Sequence, residues 1–264
     1  MRADQLLVQR GLASTRAQAQ RMIAAGVQWQ QADVWKRVAK NGDEVPTDAP
    51  IQLLDAAQDR YVSRGGLKLE GALRATGLGV QGLTCLDLGQ STGGFTDCLL
   101  QHGAARVLGV DVGQAQLHPS LRSDARVCAL EKLNARHMTA ESIAQAALEQ
   151  GQPLDGFAAA LSAGFDVMVG DVSFISLTLI LPALVPLLKP QGHLLLLVKP
   201  QFELQPGQVG KGGVVRDPAL YAVVRERVQD CLGGLGVRVL GWMDSPIKGG
   251  DGNSEFFVFA IRNK

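Results

Sequence analysis

Four ionisable side chains stand where predicted elements of the chain begin or end: Lys68, Asp171, Lys199 and Glu255. Asp171 and Lys199 each close an apolar run typical of a buried strand, Glu255 opens the last such run, and Lys68 opens a helix before the first. Because ligands of parallel sheets sit at the carboxyl ends of the strands, we expect these groups to converge there. Any one of them alone is equally typical of a solvated surface charge. A lysine in a dry site, or beside like charges, can accept a proton from a hydroxyl group.

A glycine-rich turn follows the first predicted strand, in the sequence Leu86-Asp87-Leu88-Gly89-Gln90-Ser91-Thr92-Gly93-Gly94-Phe95. Glycine lets the backbone turn tightly and pass close to a ligand where a helix begins. The next predicted strand ends at Asp111, 22 residues after Gly89, which suits a carboxylate that accepts hydrogen bonds from a ribose diol. A tight structural connection alone also explains many such turns. The two signals together predict an adenosine-containing cofactor, with a dinucleotide and S-adenosylmethionine both open.

The elements that must position these residues alternate between apolar runs and helical periods from Tyr61 onward. The candidate strands are 84–88, 106–111, 127–130, 167–171, 194–199, 237–242 and 256–261. The clearest helix is 219–232, with an apolar stripe formed by Leu220, Val223, Val224, Val228 and Cys231. This pattern predicts an α/β fold with a doubly wound, seven-stranded, Rossmann-like sheet.

The first forty residues carry most of the charge asymmetry of the chain. They hold seven basic and two acidic side chains, whereas the whole chain has a net charge of only +1. A local excess of five positive charges predicts an anion-binding head on a near-neutral body. A merely soluble helical surface is the alternative explanation.

This head is predicted to be a small α+β domain spanning residues 1–58, with the larger domain spanning 61–264 and the segment 55–60 as linker. Asp4 is expected to cap a first helix that buries Leu6 and Leu7 and stops at Gly11. Ser14 is expected to cap a second helix over 15–25, which buries Met22 and Ile23 and ends at Gly26. Two strands, 27–34 and 45–54, are expected on either side of a turn at Asn41-Gly42.

Composition excludes several classes of protein. With 264 residues, 46% of them hydrophobic and 19% charged, the chain can form a core and is not a disordered protein. The longest uncharged stretch, 172–188, has 17 residues and contains two prolines, so it does not predict a membrane span. The amino terminus lacks a signal-peptide pattern, and the four cysteines are scattered without metal-ligand spacing. These features predict a cytoplasmic protein with reduced cysteines and no metal site.

Two sets of motifs resemble known families. In the head, Arg2-Ala3-Asp4-Gln5-Leu6-Leu7, Arg10-Gly11-Leu12-Ala13-Ser14-Thr15-Arg16 and Ala19-Gln20-Arg21-Met22-Ile23 resemble the S4-type RNA-binding domain. In the body, five strings resemble the hemolysin-A-like (TlyA) family of ribosomal-RNA 2′-O-methyltransferases, whose catalytic domain is FtsJ-like. These strings are Ser-Arg-Gly-Gly-Leu-Lys (63–68), Ser-Thr-Gly-Gly-Phe-Thr-Asp (91–97), Asp-Val-Ser-Phe-Ile-Ser (171–176), Val-Lys-Pro-Gln-Phe-Glu (198–203) and Gly-Lys-Gly-Gly-Val-Val-Arg-Asp (210–217).

The resemblance implies a role for each group. It implies a catalytic tetrad of Lys68, Asp171, Lys199 and Glu255, in which we expect Lys199 to take the proton of a ribose hydroxyl. Residues expected to hold S-adenosyl-L-methionine are Asp87, Gly89, Ser91, Gly93, Gly94, Phe95 and Asp111. Residues expected to contact RNA are Arg2, Arg10, Arg16, Arg21, Lys211 and Arg216. The implied partner is ribosomal RNA or a ribosomal subunit, with no membrane and no required metal.

Some features depart from the family pattern. Gln90 stands where a small residue is usual, residues 140–165 form an apparent alanine-rich insertion, and Gln28 to Asp33 lack the glycine of the usual hairpin turn. Two other functions stay open at this point: an RNA-binding protein with an inactive methyltransferase domain, and a cytolysin. A relic domain predicts loss of the tetrad, and a cytolysin predicts a membrane-insertion device.

Overall fold

The computed structural model describes residues 1–13, 15–32, 34–53, 60–210 and 212–264. Within it the chain forms two compact units, Met1–Arg60 and Tyr61–Lys264, which we call the head and the body. Of the predicted linker 55–60, residues 55–59 lie outside the described part of the chain.

The head contains two helices and a small antiparallel sheet. Its elements are α1 (Ala3–Gln9), α2 (Arg16–Gly26), β1 (Val27–Gln31), β2 (Val34–Arg37) and β3 (Ile51–Leu53). The strand order is β2-β1-β3, with both pairs antiparallel. Leu6, Leu7, Met22 and Ile23 are buried in the head core, which confirms the predicted inner faces of the two helices.

The predicted cap of the first helix is wrong. Arg2 occupies the N-cap position without a side-chain cap bond, and Asp4 lies inside the first turn. The Asp4 side chain is fully buried and accepts hydrogen bonds from the guanidinium groups of Arg2 and Arg16, so it is not available to cap α1. At α2, the hydroxyl of Thr15 accepts from the backbone N–H of Gln18. The predicted cap, Ser14, lies outside the described residues.

The predicted strands of the head are also wrong in extent. Residues 27–34 do not form one strand but the hairpin β1–β2, in which Ala32 adopts the left-handed conformation (φ 51°) usually taken by glycine. Of the described residues in the range 45–53, only Ile51–Leu53 form a strand, and Leu54 lies outside the described part of the chain. The hairpin was not predicted because its turn lacks the glycine that usually marks such turns in a sequence.

The body contains eight α-helices and seven strands among its described residues. Its helices are α3 (Gly65–Thr76), α4 (Gly94–Gln101), α5 (Pro119–Arg122), α6 (Ala140–Glu149), α7 (Ala158–Ala163), α8 (Leu177–Leu184), α9 (Pro200–Glu203) and α10 (Ala219–Gly234). Its strands are β4 (Thr84–Leu88), β5 (Arg106–Val110), β6 (Val127–Leu130), β7 (Phe165–Gly170), β8 (Leu188–Val198), β9 (Val237–Asp244) and β10 (Phe256–Arg262).

These strands form one mixed sheet in the order β6-β5-β4-β7-β8-β10-β9. The pairs from β6 to β8 are parallel, whereas β10 runs antiparallel to both of its neighbours. The predicted doubly wound sheet of seven strands is confirmed. Because β10 runs in the opposite direction, its amino end lies at the same edge of the sheet as the carboxyl ends of β7 and β8.

The sheet has a core on each face. Along β8, Leu194, Leu196 and Val198 belong to one buried cluster, and Leu195 and Leu197 belong to the other. A strand covered on both sides needs apolar residues at every position, which accounts for the uninterrupted run before Lys199. Lys199 is the first residue after this strand, where the backbone leaves the core.

Further expectations from the sequence concern α10, the segment 140–165, the cysteines and membrane-spanning helices. On α10, Val224 and Val228 are buried, but Val223 is half exposed, so the predicted apolar stripe is too wide. The segment 140–165 folds as α6 and α7, with Ile143 and Ala160 in the core. The four cysteines are free thiols, three of them buried. None of the helices that the structure describes has the length and hydropathy of a membrane span.

Candidate active site

Four elements of the body place the four predicted catalytic side chains at one edge of the sheet. Asp171 directly follows β7 and Lys199 directly follows β8, while Glu255 directly precedes β10. Lys68 lies in the first turn of α3. The parallel course of β7 and β8 and the antiparallel course of β10 place these three strand ends together, as the sequence predicted.

The inner half of this group is a buried ion pair. Lys68 Nζ donates to Glu255 Oε2 at 2.7 Å and lies 3.8 Å from Asp171 Oδ2. Lys68 is 8% exposed and Glu255 4% exposed. Buried charges of this kind are stable only when they are paired, so each of these side chains depends on the others for its position.

The outer half of the group, Asp171 and Lys199, lines the cavities described below. Lys199 Nζ lies 2.7 Å from Asp171 Oδ1, as an ion pair whose angles are not those of a hydrogen bond. The same ammonium group donates instead to the hydroxyl of Ser173 at 2.6 Å. The charges therefore alternate from Glu255 through Lys68 and Asp171 to Lys199, and Lys199 is the outer end of the chain of contacts.

Two adjoining cavities lie beside this group. The larger, of about 520 Å³, is lined by Gly89, Ser91, Asp111 and Asp171 together with apolar side chains that include Val110 and Ile175. The smaller, of about 200 Å³, shares Gly89, Ser91, Asp171 and Ser173 with the larger one and is also lined by Lys199. Neither set of lining residues includes Lys68 or Glu255. Of the two lysines, Lys199 is thus the one that faces open space.

The turn between β4 and α4 lines both cavities through Gly89 and Ser91. Gly89 has a φ of +73°, and a Cβ atom there would lie 2.7 Å from the backbone oxygen of Asp171. A side chain at this position would therefore collide with the loop that carries Asp171. The glycine lets the β4 turn and the β7 turn approach each other, which brings the larger cavity next to Asp171.

The carboxylate of Asp111 is aimed by the backbone around it. Its Oδ2 accepts from the N–H of Ser91, and its Oδ1 accepts from the N–H of Gly113, both at 2.7 Å. A carboxylate oxygen has further lone-pair capacity, so each oxygen can accept another hydrogen bond from a ligand in the cavity. A cavity of nucleoside size, apolar walls and a fixed carboxylate fit the adenosine part of S-adenosylmethionine.

Other residues predicted to hold the cofactor occupy different positions. Gly94 and Phe95 line the smaller cavity, whereas Asp87 and Gly93 line neither. A Cβ atom on Gly93 would collide with Leu121, so packing within the protein already requires glycine there. Gln90, the departure from the family pattern, is buried over Gly109, where a Cβ atom would overlap its amide.

Asp87 is fully buried beneath the turn. Its Oδ2 accepts from the hydroxyl of Thr96 at 2.7 Å, and its Oδ1 has no hydrogen-bond partner. Burial raises the pKa of Asp87 from 3.8 to about 7, although the hydrogen bonds from Thr96 act in the opposite direction. Asp87 therefore titrates near neutral pH, out of reach of either cavity.

Three residues that line the larger cavity received no role from the sequence. Ser173, two residues after Asp171, accepts the hydrogen bond of Lys199. Phe174 is 90% exposed, has a φ of 65° and contacts the ring of Phe202 with centroids 5.1 Å apart. Gln116 accepts a hydrogen bond from the hydroxyl of Ser91. The signal for the first two was their place in the turn after Asp171.

In the head, the predicted RNA-binding arginines are held by acceptors of the protein itself. Arg2 and Arg16 both donate to Asp4 while remaining about half exposed. Hydrogen bonding from Arg2, reinforced by Arg16, holds the pKa of Asp4 well below its usual range. Arg10 donates to the backbone oxygens of Thr47 and Ala49. These contacts fix the direction of each guanidinium group.

The remaining predicted RNA contacts are divided between the two units. Arg216 is exposed in the body. Lys211 and the side chain of Arg21 lie outside the described part of the chain.

Comparison with known families gives a match for each unit. Residues 61–262 match the model of the FtsJ-like methyltransferase family, and residues 1–26 match the S4 domain. The match to the methyltransferase model spans the body, including both cavities and the group of lysines and carboxylates beside them.

Individual relatives match over nearly the whole chain. The chain is 42% identical over 262 residues to the 16S/23S rRNA (cytidine-2′-O)-methyltransferase TlyA of Mycobacterium tuberculosis (strain ATCC 25618 / H37Rv), covering 98% of this chain and 88% of the relative. It is 36% identical over 266 residues to Hemolysin A of Brachyspira hyodysenteriae, covering 99% and 100%. A solved structure, "Putative hemolysin from Streptococcus thermophilus", is similar with a TM-score of 0.72 at 38% identity, covering 100% of this chain and 89% of that one.

Proposed function

Since the chain belongs to the TlyA/hemolysin A family of rRNA 2′-O-methyltransferases, with an S4 domain and an FtsJ-like methyltransferase domain, we propose that it methylates the 2′-hydroxyl of a cytidine in ribosomal RNA. The observation that carries the proposal is the position of Lys199. Lys199 lines the smaller cavity, and four residues line both this cavity and the larger one. An acceptor hydroxyl at this junction meets a basic group on one side and the cofactor cavity on the other.

In this proposal Lys199 is the general base. A ribose hydroxyl is a poor nucleophile until it loses its proton. Lys199 accepts that proton as a neutral amine, after its ammonium group has released a proton to water, while the ribose oxygen attacks. Asp171 and Ser173 hold Lys199 Nζ from two directions, at 2.7 and 2.6 Å. They fix the position of the amine relative to the junction of the cavities.

Lys68 and Glu255 support this arrangement from the buried side. Lys68 lies 3.8 Å from Asp171, and its hydrogen bond to Glu255 fixes the ammonium group there. We assign these two residues the positioning of Asp171 and, through Asp171, of Lys199. Because all four side chains form one chain of contacts, removing any of them disturbs the others.

The cofactor is held in the larger cavity in this proposal. Asp111 accepts hydrogen bonds from the ribose diol, while Gly89 and Ser91 provide backbone at the turn and apolar side chains enclose the base. When bound, S-adenosylmethionine supplies the methyl group on a sulfonium, and its departing sulfur is neutral, so the chemistry needs no metal. The function also requires no membrane.

The proposed RNA substrate is ribosomal RNA, free or within a ribosomal subunit, which places the protein in the cytoplasm. The arginines of the head supply phosphate contacts. Phe174 stands exposed next to Ser173, and its ring is available to stack on the base of the nucleotide whose hydroxyl reaches Lys199. When the target nucleotide rotates out of its helix, it loses the stacking with its neighbouring bases. Stacking on Phe174 compensates for this loss.

The experiment that tests this function maps 2′-O-methylation on ribosomal RNA from cells with and without the gene. Sites that are present only with the gene, and that the purified protein restores with S-adenosylmethionine, support the proposal. Unchanged methylation would leave an RNA-binding protein with an inactive methyltransferase domain. Lysis of red cells by the purified protein, without any change in methylation, would instead support a cytolysin.

A further inference from the structure

The small sheet of the head has two faces of different character. Directly paired residues share a face, and Trp29, which is paired with Ile51 and Lys36, packs with Ile51 against the head core. Trp29 therefore marks the inner face. Its neighbours along β1, Gln28 and Gln30, lie on the opposite face, because successive side chains of a strand alternate.

The pairing of the strands defines the rest of that opposite face, which we call the outer face. Gln30 is paired with Trp35, and Gln28 is paired with Arg37 on one side and Gln52 on the other. The outer face thus consists of Gln28, Gln30, Trp35, Arg37 and Gln52. Among these five side chains there is no carboxylate. None of the five was among the predicted RNA contacts.

The composition of the outer face is unusual for a surface that only faces water. Trp35 is 40% exposed on β2, which is an edge strand. Gln28 donates to Gln52 at 2.9 Å, so two of the three amides are already ordered. An indole ring, an arginine and ordered amides on one rigid sheet offer stacking, charge and hydrogen-bonding groups side by side.

These properties match an unpaired RNA nucleotide better than a protein partner. Aromatic side chains on a sheet stack with unpaired bases, and arginine binds phosphate. Amide side chains both donate to and accept from the edges of bases. The first forty residues carry an excess of five positive charges, which is complementary to RNA. The single aromatic ring on the outer face is too little for an apolar protein interface.

We propose that the outer face binds an unpaired nucleotide of the ribosomal RNA, with its base stacked on Trp35 and a neighbouring phosphate on Arg37. This site rests on the proposed function, since it assumes an RNA substrate. It is separate from the two arginines held by Asp4, which lie at the N-cap of α1 and at the first residue of α2. The outer face gives the head a second means of recognition, directed at an unstacked base instead of the phosphate backbone.

The test compares variants of the full-length protein that differ in which face of β2 they change. Trp35→Ala removes the ring from the outer face, and Val34→Ala changes the preceding residue, which is 61% exposed and lies on the other face. Arg37→Gln and Lys36→Gln each remove one positive charge, on opposite faces of the same strand. Trp35→Phe retains a smaller ring, and thermal melting checks that every variant folds.

The measurement is the dissociation constant for protein-free 16S and 23S ribosomal RNA and for intact ribosomal subunits, with methylation of the same RNAs by the unaltered protein recorded in parallel. We expect Trp35→Ala to weaken binding to the methylated RNA about tenfold. Trp35→Phe restores most of the affinity, and Val34→Ala has no effect. Arg37→Gln weakens binding more than Lys36→Gln does.

Each contrary result has a distinct meaning. Equal affinity of Trp35→Ala and Val34→Ala overturns the site, as do equal losses from Arg37→Gln and Lys36→Gln, which would indicate charge attraction alone. If Trp35→Ala weakens binding to subunits but not to protein-free RNA, the outer face contacts a ribosomal protein and the proposal is wrong. Failure of the unaltered protein to methylate either RNA overturns the proposed function, whatever the variants do.

Discussion

Asp171 Oδ1 lies 2.7 Å from the ammonium nitrogen of Lys199, at the point where the two cavities of the body meet. The other oxygen of the same carboxylate faces Lys68 at 3.8 Å. Asp171 therefore stands between Lys68, which lines neither cavity, and Lys199, which lines the smaller one. The two lysine side chains are almost equally buried, at 10% and 12% exposed, so their different positions relative to the cavities are what support the proposed roles in positioning and in proton transfer.

The cofactor cavity depends on Asp111. We expect Asp111→Ala to weaken the binding of S-adenosylmethionine about thirtyfold, because it removes an ionised acceptor for two hydroxyl groups, worth about 2 kcal/mol. It also removes the hydrogen bonds that the N–H groups of Ser91 and Gly113 donate to this carboxylate, which hold the two turns in place. Isothermal calorimetry with the purified protein measures the change.

Asp230→Ala on the exposed side of α10 is the control for this substitution, and its affinity should equal that of the unaltered protein. If the affinity of the Asp111 variant lies within a factor of two or three of the unaltered value, the binding free energies differ by only about 0.5 kcal/mol. Asp111 would then have no role in cofactor binding.

Phe174 combines exposure with an unfavourable backbone conformation, which is typical of residues kept for function. Its φ of 65° costs on the order of 1 kcal/mol for a side chain other than glycine. We expect Phe174→Gly to raise the melting temperature and, at the same time, to lower kcat/KM for RNA methylation about tenfold or more. Phe174→Ala should lower kcat/KM equally without the gain in stability.

Phe174→Tyr preserves the ring and should retain most of the methylation rate. Steady-state methylation of ribosomal subunits and thermal melting measure both properties on the same preparations. Near-normal kcat/KM for Phe174→Ala would show that the ring does not contact the target nucleotide, and the strained conformation would then need another explanation.

Asp87 makes the stability of the body depend on pH. Its pKa is raised from 3.8 to about 7 by burial, so the folded protein binds this proton more tightly than the unfolded chain. Protonated Asp87 contributes at most about 4 kcal/mol to the free energy of unfolding. This contribution is fully present below about pH 4 and is lost as the pH rises towards 7. Asp87→Asn cannot ionise and can still accept from Thr96.

We therefore expect the melting temperature of the unaltered protein to fall more between pH 5 and pH 8, values on the two sides of the raised pKa, than that of Asp87→Asn. Asp230→Asn, at an exposed carboxylate, serves as control and should follow the unaltered protein. Parallel curves for the unaltered protein and Asp87→Asn would show that Asp87 ionises at its ordinary pKa.

The sequence predicted those parts of the fold and site that depend on local pattern. Continuous apolar runs such as 194–198 identify strands buried on both faces, and polar residues at their ends identify the functional edge. Lys199 and Asp171 could be predicted for this reason, and so could the seven strands.

Other features could not be predicted, because they depend on contacts between distant parts of the chain. Asp4 is of a residue type that often caps helices, but its carboxylate accepts a hydrogen bond from Arg16, twelve residues away. The hairpin around Ala32 lacks the glycine that usually marks such a turn. The outer position of Lys199, relative to Lys68, depends on how four separate elements pack, and no spacing in the sequence records it.

The central claim is that Lys199 accepts the proton of the ribose hydroxyl, and Lys199→Arg tests it most directly. Arginine preserves the positive charge but in practice cannot become a neutral base. Single-turnover methylation at saturating RNA and S-adenosylmethionine separates chemistry from binding. We expect the rate to fall by a factor of about 10² to 10⁴, with the affinities for both substrates largely retained. A rate within a few-fold of the unaltered protein would contradict the account and exclude Lys199 as the base.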